Sequence, residues 1–295
     1  MRLLLARLDR TSAPVRLLAF IGLLAIFWLP PYVLIRATVT DRNTVSILAM
    51  TLLFIEFVLL LRWWTKRIYR APNWLRHYGL QPTRQNGRLL LLGFAIGSFS
   101  LFTLFAIELS FGWLRWQWPT LQLIRIAIEG LLVAIGVGLG EELIFRGWLL
   151  QELERDYRPV TALLANSLIF ALLHYTKPIE GAIVTLLGLP FDWSAVLRSL
   201  PQFPGLLLLG VLLVRAKQVS RQQLGLAIGL HAGLVWGYYL VNVGELVEYG
   251  DSVPQWVTGI NQNPLAGVMG MLALVGLLLG MKWFGRWGER SKFTN

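Results

Sequence analysis

The sequence predicts an all-α fold, a polytopic transmembrane helical bundle of about eight spans with both termini on the cytoplasmic side. Of its 295 residues, 56% are hydrophobic and only 15% are charged, and the mean hydropathy is +0.59, which is too apolar for a water-soluble domain. Apolar stretches of about 20 residues, the length that crosses a bilayer core, recur along the chain. The basic residues lie in short connections between these stretches, so the net charge of +11 indicates a lipid bilayer as the partner and not nucleic acid.

The spans follow in order from the apolar stretches. They are predicted near residues 15–35, 45–64, 88–112, 121–150, 160–176, 202–215, 223–243 and 264–284. Pro30 and Pro31 are expected to kink or end the first span, because proline removes a backbone hydrogen bond. The fourth span would extend roughly 45 Å at about 1.5 Å per residue, more than a core of about 30 Å, so we expect it to tilt, bend or emerge into water.

The distribution of Lys and Arg predicts the orientation of the bundle. These residues concentrate at both termini and in alternate connections, one of which holds Arg215, Lys217 and Arg221. The apolar run 183–189 is too short to cross, so the stretch 177–201 is predicted to be an outside or re-entrant element. We therefore expect an integral, multi-pass protein of a bacterial cytoplasmic-type or organellar membrane.

Ionisable residues are concentrated in the predicted fourth span, where each costs about 2.5 to 3.5 kcal/mol to insert. Glu142 and Arg146 are four residues apart with the acid first, the favourable order for a helical ion pair. Glu141 lies about 100° further round the helix and is left free for proton transfer. Arg125 and Glu129 have the same spacing and are interpreted as a structural pair.

The chain has three histidines, two of them in predicted spans. His174 closes span five and His231 lies in span seven among small residues that permit close helix approach, whereas His77 is expected to face solvent or lipid headgroups. Counted from the cytoplasmic ends, Glu141, His174 and His231 lie roughly 15, 21 and 12 Å deep, so they can meet. Together they supply the groups that activate water and stabilise an oxyanion, and the glycine run 136–140 is expected to loosen span four and admit water.

Three motifs follow one another on successive apolar segments: Glu141-Glu142-x-x-x-Arg146, Phe170-x-x-x-His174 and His231. In this order they resemble the CPBP (Abi, CAAX protease and bacteriocin-processing) family of intramembrane endopeptidases, and in particular the type II CAAX prenyl endopeptidases. The resemblance covers about residues 121–243, which would form the catalytic membrane core. An N-terminal three-span region (1–120) precedes this core, and a loop with the last span (244–295) follows it.

The resemblance implies an eight-helix protease in which Glu141 and His174 activate water and His231 forms part of the oxyanion hole. It also implies that Glu142 and Arg146, supported by Phe170, hold the site together.

The chain departs from the prenyl proteases at the fourth residue after His231. Those proteases have asparagine there and this chain has Val235, which cannot donate to an oxyanion. Loss of one such donor typically costs about 10² to 10³ in rate. Either Trp236, a backbone amide or the pose of the substrate compensates, or the substrate class differs from prenylated CAAX peptides.

The leading hypothesis is therefore an intramembrane endopeptidase that cleaves a membrane-associated protein or peptide with a glutamate-activated water. Two alternatives stay open: a non-catalytic membrane scaffold, such as an immunity or maturation partner, and a transporter that relays protons through Glu141, His174 and His231. The absence of cysteine excludes a cysteine nucleophile. No cofactor is firmly predicted, although the same three residues are legitimate zinc ligands and the protein would then be a metalloprotease.

Overall fold

The computed structural model describes residues 8–118, 122–175, 193–250 and 252–290. The protein is mostly helical, at 79%, as the sequence predicts. In chain order the helices are α1 (Ala13–Thr38), α2 (Arg42–Arg67), α3 (Trp74–His77), α4 (Arg84–Ser110), α5 (Leu123–Glu142), α6 (Leu150–Glu154), α7 (Pro159–Leu173), α8 (Ser194–Ser199), α9 (Phe203–Val219), α10 (Gly225–Val243), α11 (Gln255–Thr258) and α12 (Val268–Arg290). A π-helical segment, Leu143–Leu149, joins α5 to α6, and three 3₁₀ turns lie at 200–202, 260–262 and 264–266.

Among the described residues, six helical stretches are long and apolar enough to cross a membrane: 13–38, 42–67, 84–110, 123–154, 197–219 and 225–243. The apolar helices 159–173 and 268–283 are shorter. These eight elements lie at the eight positions predicted from the sequence. Crossing by the two shorter helices, and the cytoplasmic side for both termini, stay predictions.

Two local predictions are contradicted in part. Pro30 and Pro31 lie inside α1, which continues to Thr38, so the first span does not end at them, while a kink at this pair stays a prediction. α5 remains α-helical through the glycine run 136–140, so the expected loosening is not found there, while entry of water stays a prediction. A Cβ atom at Gly138 would lie 3.0 to 3.2 Å from atoms of α10, so the glycine is used for close packing.

Two regions that connect the long helices contain secondary structure of their own. A short antiparallel pair of strands, β1 (Leu114–Trp116) and β2 (Val247–Tyr249), joins two connections far apart in the chain and was not predicted. Most of the predicted outside or re-entrant element at 177–201 lies outside the described residues. From it the structure describes α8 and the start of the turn at 200–202.

Glycines hold α10 close to α4. Gly93 and Gly97 of α4 face Gly229 and Gly233 of α10, and a Cβ atom added to any of the four would collide with the backbone of the opposite helix. Such small-residue contacts are a common means of association between membrane helices, where lipid provides no hydrophobic drive. The predicted close approach around His231 is thus confirmed, and it fixes the depth and rotation of α10 beside α5.

A buried ion pair ties the start of α1 to α6. The Arg16 side chain, 1% exposed, donates from Nε to Glu152 Oε2 at 2.8 Å, and its Nη2 lies 3.2 Å from Asp156 Oδ2. Tyr69 donates a further hydrogen bond to Glu152. Arg16 is one of the basic residues near the N-terminus that predict the orientation of the bundle, and in the structure it also fastens two helices together.

Candidate active site

The carboxylate of Glu141 and two imidazoles converge at one place in the bundle. Glu141 Oε2 lies 3.8 Å from His174 Nε2 and 3.9 Å from His231 Nε2. The three residues come from α5, from the residue that ends α7 and from α10, so they are brought together by helix packing. The Glu141 and His174 side chains are about 30% exposed, whereas His231 is 4% exposed.

Glu142 lies on the other side of the His231 ring from Glu141, at Nδ1, and is completely buried. Its Oε1 accepts one hydrogen bond from Arg146 Nη1 and another from His231 Nδ1, both at 2.9 Å. The ion pair predicted from the four-residue spacing is confirmed, and the bond to His231 is an addition from the tertiary structure. Because Nδ1 of His231 donates to this carboxylate, Nε2 of the same ring is the nitrogen that faces Glu141.

The Arg146 guanidinium is enclosed by three kinds of contact. Besides Glu142, it donates from Nη2 to the Gly210 carbonyl of α9 at 3.2 Å. Its central carbon lies 4.2 Å from the centre of the Phe170 ring, a cation–π contact. Phe170, itself fully buried, therefore supports the site by covering a buried charge, while its edge packs against Phe145.

His174 is oriented by the end of its own helix. The last carbonyls of a helix lack intrahelical partners, and the Phe170 carbonyl accepts from His174 Nδ1 at 2.8 Å. The two rings are 4.6 Å apart between centres, which further restrains the imidazole. With Nδ1 bonded in this way, Nε2 of His174 is the ring nitrogen that faces Glu141.

A cavity of about 270 Å³ opens beside the three convergent side chains. Its wall is mainly apolar and comes from α4, α5, α9, α10, α12 and the segment 263–265. Polar groups besides Glu141, His174 and His231 are few, and they include the amides of Gln202 and Asn263. Asn263 Nδ2 donates to Gln202 Oε1 at 2.9 Å, so the two amides form one polar patch.

Val235 also lines this cavity, so the position that lacks an amide in this chain does face the site. Trp236 is not its replacement, because the indole Nε1 donates to the Ala127 carbonyl at 3.0 Å. The amides of Gln202 and Asn263 were missed by the sequence analysis. A lone Gln or Asn beside a proline carries no periodic signal, and their nearness to the site depends on how separate segments pack.

Three further residues considered in the sequence analysis lie away from the cavity. Arg125 and Glu129 form the predicted pair at 2.6 Å and are 73% and 44% exposed, in keeping with a structural role. The expectation that His77 faces solvent or headgroups is wrong. Its ring is half-buried, stacks on Tyr69 and lies with Nε2 3.0 Å from Gln151 Nε2, because α3 folds back against α6.

The described residues contain no group of three or more His, Cys, Asp or Glu side chains arranged to hold a metal ion. For Glu141, His174 and His231 the reason lies in the distances. Nitrogen and oxygen ligands of a tetrahedral zinc are roughly 3.3 Å apart, given bonds of about 2.0 Å, and the separations of 3.8 and 3.9 Å are wider. These three side chains would have to move closer together to bind a tetrahedral zinc ion, and no step below is routed through a metal.

Residues 123–237 match the family model described as Rce1-like, type II CAAX prenyl endopeptidase. This segment is a CAAX protease-like core. The family recognised from the motifs is therefore confirmed for the segment that carries them. Together with the membrane-spanning helices, the match makes the protein an integral, multi-pass membrane protein.

The other comparisons add no relative. No curated protein matches the chain, and no solved structure matches it. The CAAX protease-like core runs from the start of α5 to Gly237 in α10, so it contains all six residues named from the motifs.

Proposed function

We propose that this chain is an endopeptidase that hydrolyses a peptide bond of a membrane-associated protein or peptide with a water molecule activated by Glu141 and His174. The observation that carries the proposal is the carboxylate oxygen of Glu141 lying within 3.9 Å of two imidazole nitrogens beside a mainly apolar cavity. The family match supports peptide hydrolysis as the reaction class.

The geometry favours a general-base mechanism. Glu141 Oε2 and His174 Nε2 are 3.8 Å apart, so one water molecule can hydrogen-bond to both. The water oxygen attacks the peptide carbonyl as its proton passes to Glu141, which forms a tetrahedral intermediate. Glu141 then returns this proton to the amide nitrogen as the C–N bond breaks, which gives a carboxylic acid and an amine; the acid proton passes to the amine, so the products leave as a carboxylate and an ammonium group.

His231 is suited to stabilise the oxyanion of that intermediate. Glu142 accepts the hydrogen bond from Nδ1 and so directs Nε2 at the reacting centre, where a proton carried by Nε2 would point at the oxyanion. A donor directed at developing negative charge in a site that excludes water is one of the largest contributions to catalysis. The amides of Gln202 and Asn263, on the cavity wall, would bind the main chain of the peptide and so offset the missing donor at Val235.

The cavity indicates the kind of substrate. A chamber of about 270 Å³ with mainly apolar walls accepts aliphatic side chains better than charged ones. An extended, apolar peptide segment near the membrane fits this requirement, as does the aliphatic pair of a CAAX sequence. We therefore propose a CAAX-like, apolar peptide as the first substrate class to test.

The test compares the wild type with Glu141→Gln in detergent micelles, on an internally quenched farnesylated peptide that ends in a CAAX sequence. Loss of a general base typically costs about 10² to 10⁴ in rate, so the variant should lose nearly all turnover. Glu129→Gln is the matched control, since it alters an exposed carboxylate of the same helix. Cleavage termini in the membrane proteome of cells with each variant extend the test to natural substrates.

The outcomes separate this proposal from its alternatives. A scaffold tolerates Glu141→Gln, so unchanged behaviour of that variant in cells, with no lost cleavage termini, refutes the protease. A metal-dependent enzyme loses activity on dialysis against a strong chelator and regains it with zinc. Our mechanism instead predicts that activity survives dialysis.

A further inference from the structure

The π-helical segment between α5 and α6 departs from the α-helical backbone on either side of it. Its widened turn is seen in the bond from Leu150 N to the Phe145 carbonyl, five residues back. Short π segments are rare and occur frequently at functional sites. Such a segment persists in a membrane when neighbouring groups hold its backbone.

Asn166 of α7 holds the first of two consecutive carbonyls. Its Nδ2 donates to the Phe145 carbonyl at 2.7 Å, and the side chain is fully buried. The neighbouring Ser167 is equally buried, but its hydroxyl donates to Leu163 in its own helix. Asn166 thus makes a contact between helices where Ser167 makes a local one.

Lys217 of α9 holds the next carbonyl. Its Nζ donates to the Arg146 carbonyl at 2.6 Å, and the side chain is 3% exposed. A lysine near the end of a membrane helix ordinarily extends to the interface, and Arg215, two residues earlier, is exposed. Lys217 instead points inwards, towards the π-helical segment.

The clamped segment leads directly to the reacting groups. Arg146 carries the held carbonyl, its guanidinium pairs with Glu142, and Glu142 in turn accepts from His231 Nδ1. A shift of the segment backbone would therefore move the carboxylate that orients His231. In a closely packed interior, displacement by about 1 Å is enough to cost roughly 10²-fold in rate.

We propose that Asn166 and Lys217 are positioning residues that clamp the π-helical segment and so set the orientation of His231 relative to Glu141. Neither residue touches the reacting atoms in this account. The part that concerns turnover rests on the proposed peptidase function, whereas the part that concerns the His231 ring does not.

The kinetic test uses Asn166→Leu and Lys217→Met, which keep side-chain size and remove the donor. On the quenched farnesylated CAAX peptide, each is expected to lower kcat about 10- to 100-fold with KM within about twofold, because the binding cavity is not altered. Ser167→Ala and Arg215→Met are the matched controls, a buried neighbour and a nearby positive charge, and should keep wild-type kcat. Asn166→Ser and Lys217→Gln, which retain a shorter donor, replace the first pair if that pair does not fold and should show smaller losses.

The second readout does not depend on activity. The chain has three histidines, so full-length protein labelled with ¹³C in the histidine rings gives three ring signals, assigned with His→Gln variants. At one pH, both test variants should shift the His231 signal, and both controls should leave it in place. If the wild type cleaves no peptide, the proposed peptidase function fails. The His231 signal would still test whether Asn166 and Lys217 orient the ring.

The proposal is overturned by either of two results. One is a His231 signal that coincides with the wild-type signal in both test variants, even if their melting temperatures fall. The other is an active wild type whose kcat is unchanged by both substitutions, since the clamp would then have no bearing on catalysis.

Discussion

Removal of the Glu142 charge tests how the site is built, because this carboxylate serves a buried cation and a proposed catalytic ring together. In Glu142→Gln, the fully buried Arg146 keeps its bond to Gly210 and the Phe170 face but loses its counter-ion. Removing one partner of a buried ion pair typically costs about 3 to 5 kcal/mol. The Phe170 contact is the same before and after the substitution, but the amide that replaces the carboxylate still offers an oxygen that can accept from Arg146, so we expect a loss near the lower end, about 3 kcal/mol.

The double variant Glu142→Gln with Arg146→Met separates stability from catalysis. With the uncompensated charge gone, most of the lost free energy of unfolding should return, since apolar replacement of a buried pair is often neutral. Activity should not return, because His231 Nδ1 still lacks a charged acceptor. We expect both variants to show a loss of about 10²-fold or more in kcat.

The assays are unfolding by sodium dodecyl sulfate in mixed micelles and turnover of the quenched farnesylated peptide. Glu129→Gln is the control, because it breaks a pair of the same spacing on the same helix that is exposed. An exposed pair of this kind contributes little to stability, so the control should unfold like the wild type. A double variant as unstable as Glu142→Gln, or one that regains turnover, would refute this reasoning.

Two further predictions concern residues outside the cavity. Arg16→Met leaves Glu152 buried without its cation, so the free energy of unfolding should fall by about 3 kcal/mol while kcat is kept; a large loss of kcat in folded protein would contradict this. Burial, with smaller effects of Arg155 and Lys217, lowers the pKa of His77. The fold favours the neutral ring, so this contribution to stability is complete above the ordinary pKa of about 6.5 and is lost as the pH falls below it. Between about pH 7.5 and about pH 5, the melting temperature of the wild type should therefore fall more than that of His77→Gln, and equal falls would contradict the burial argument.

Contacts between residues close together in the sequence could be predicted, whereas contacts between residues far apart in the sequence could not. The Glu142–Arg146 pair could be predicted because both residues are on one helix and its repeat fixes their spacing. The bond between Glu142 and His231 could not, since it joins residues 89 apart in the chain. The polar type of Asn166 was visible in an apolar run, but its partner was not.

Lys217 shows the same limit in another form. Lys217 lies at the end of an apolar stretch, so the sequence suggests a lysine at the cytoplasmic interface, in accordance with the positive-inside rule. The side chain turns inwards because the π-helical segment offers a carbonyl at hydrogen-bonding distance. A hydrophobicity pattern reports the depth of a residue and contains nothing about the direction of its side chain.

The sequence by itself determined that the chain belongs in a lipid bilayer, that it is helical, where its apolar helices lie and which family its core resembles. These depend on composition, on segment length and on motifs within single helices, all of which are local properties. Only the tertiary structure decided that Trp236 is occupied elsewhere, that amides at 202 and 263 line the cavity, and that Asn166 and Lys217 hold the π-helical segment. These facts depend on the rotation and close approach of whole helices, which glycine contacts and buried hydrogen bonds fix together.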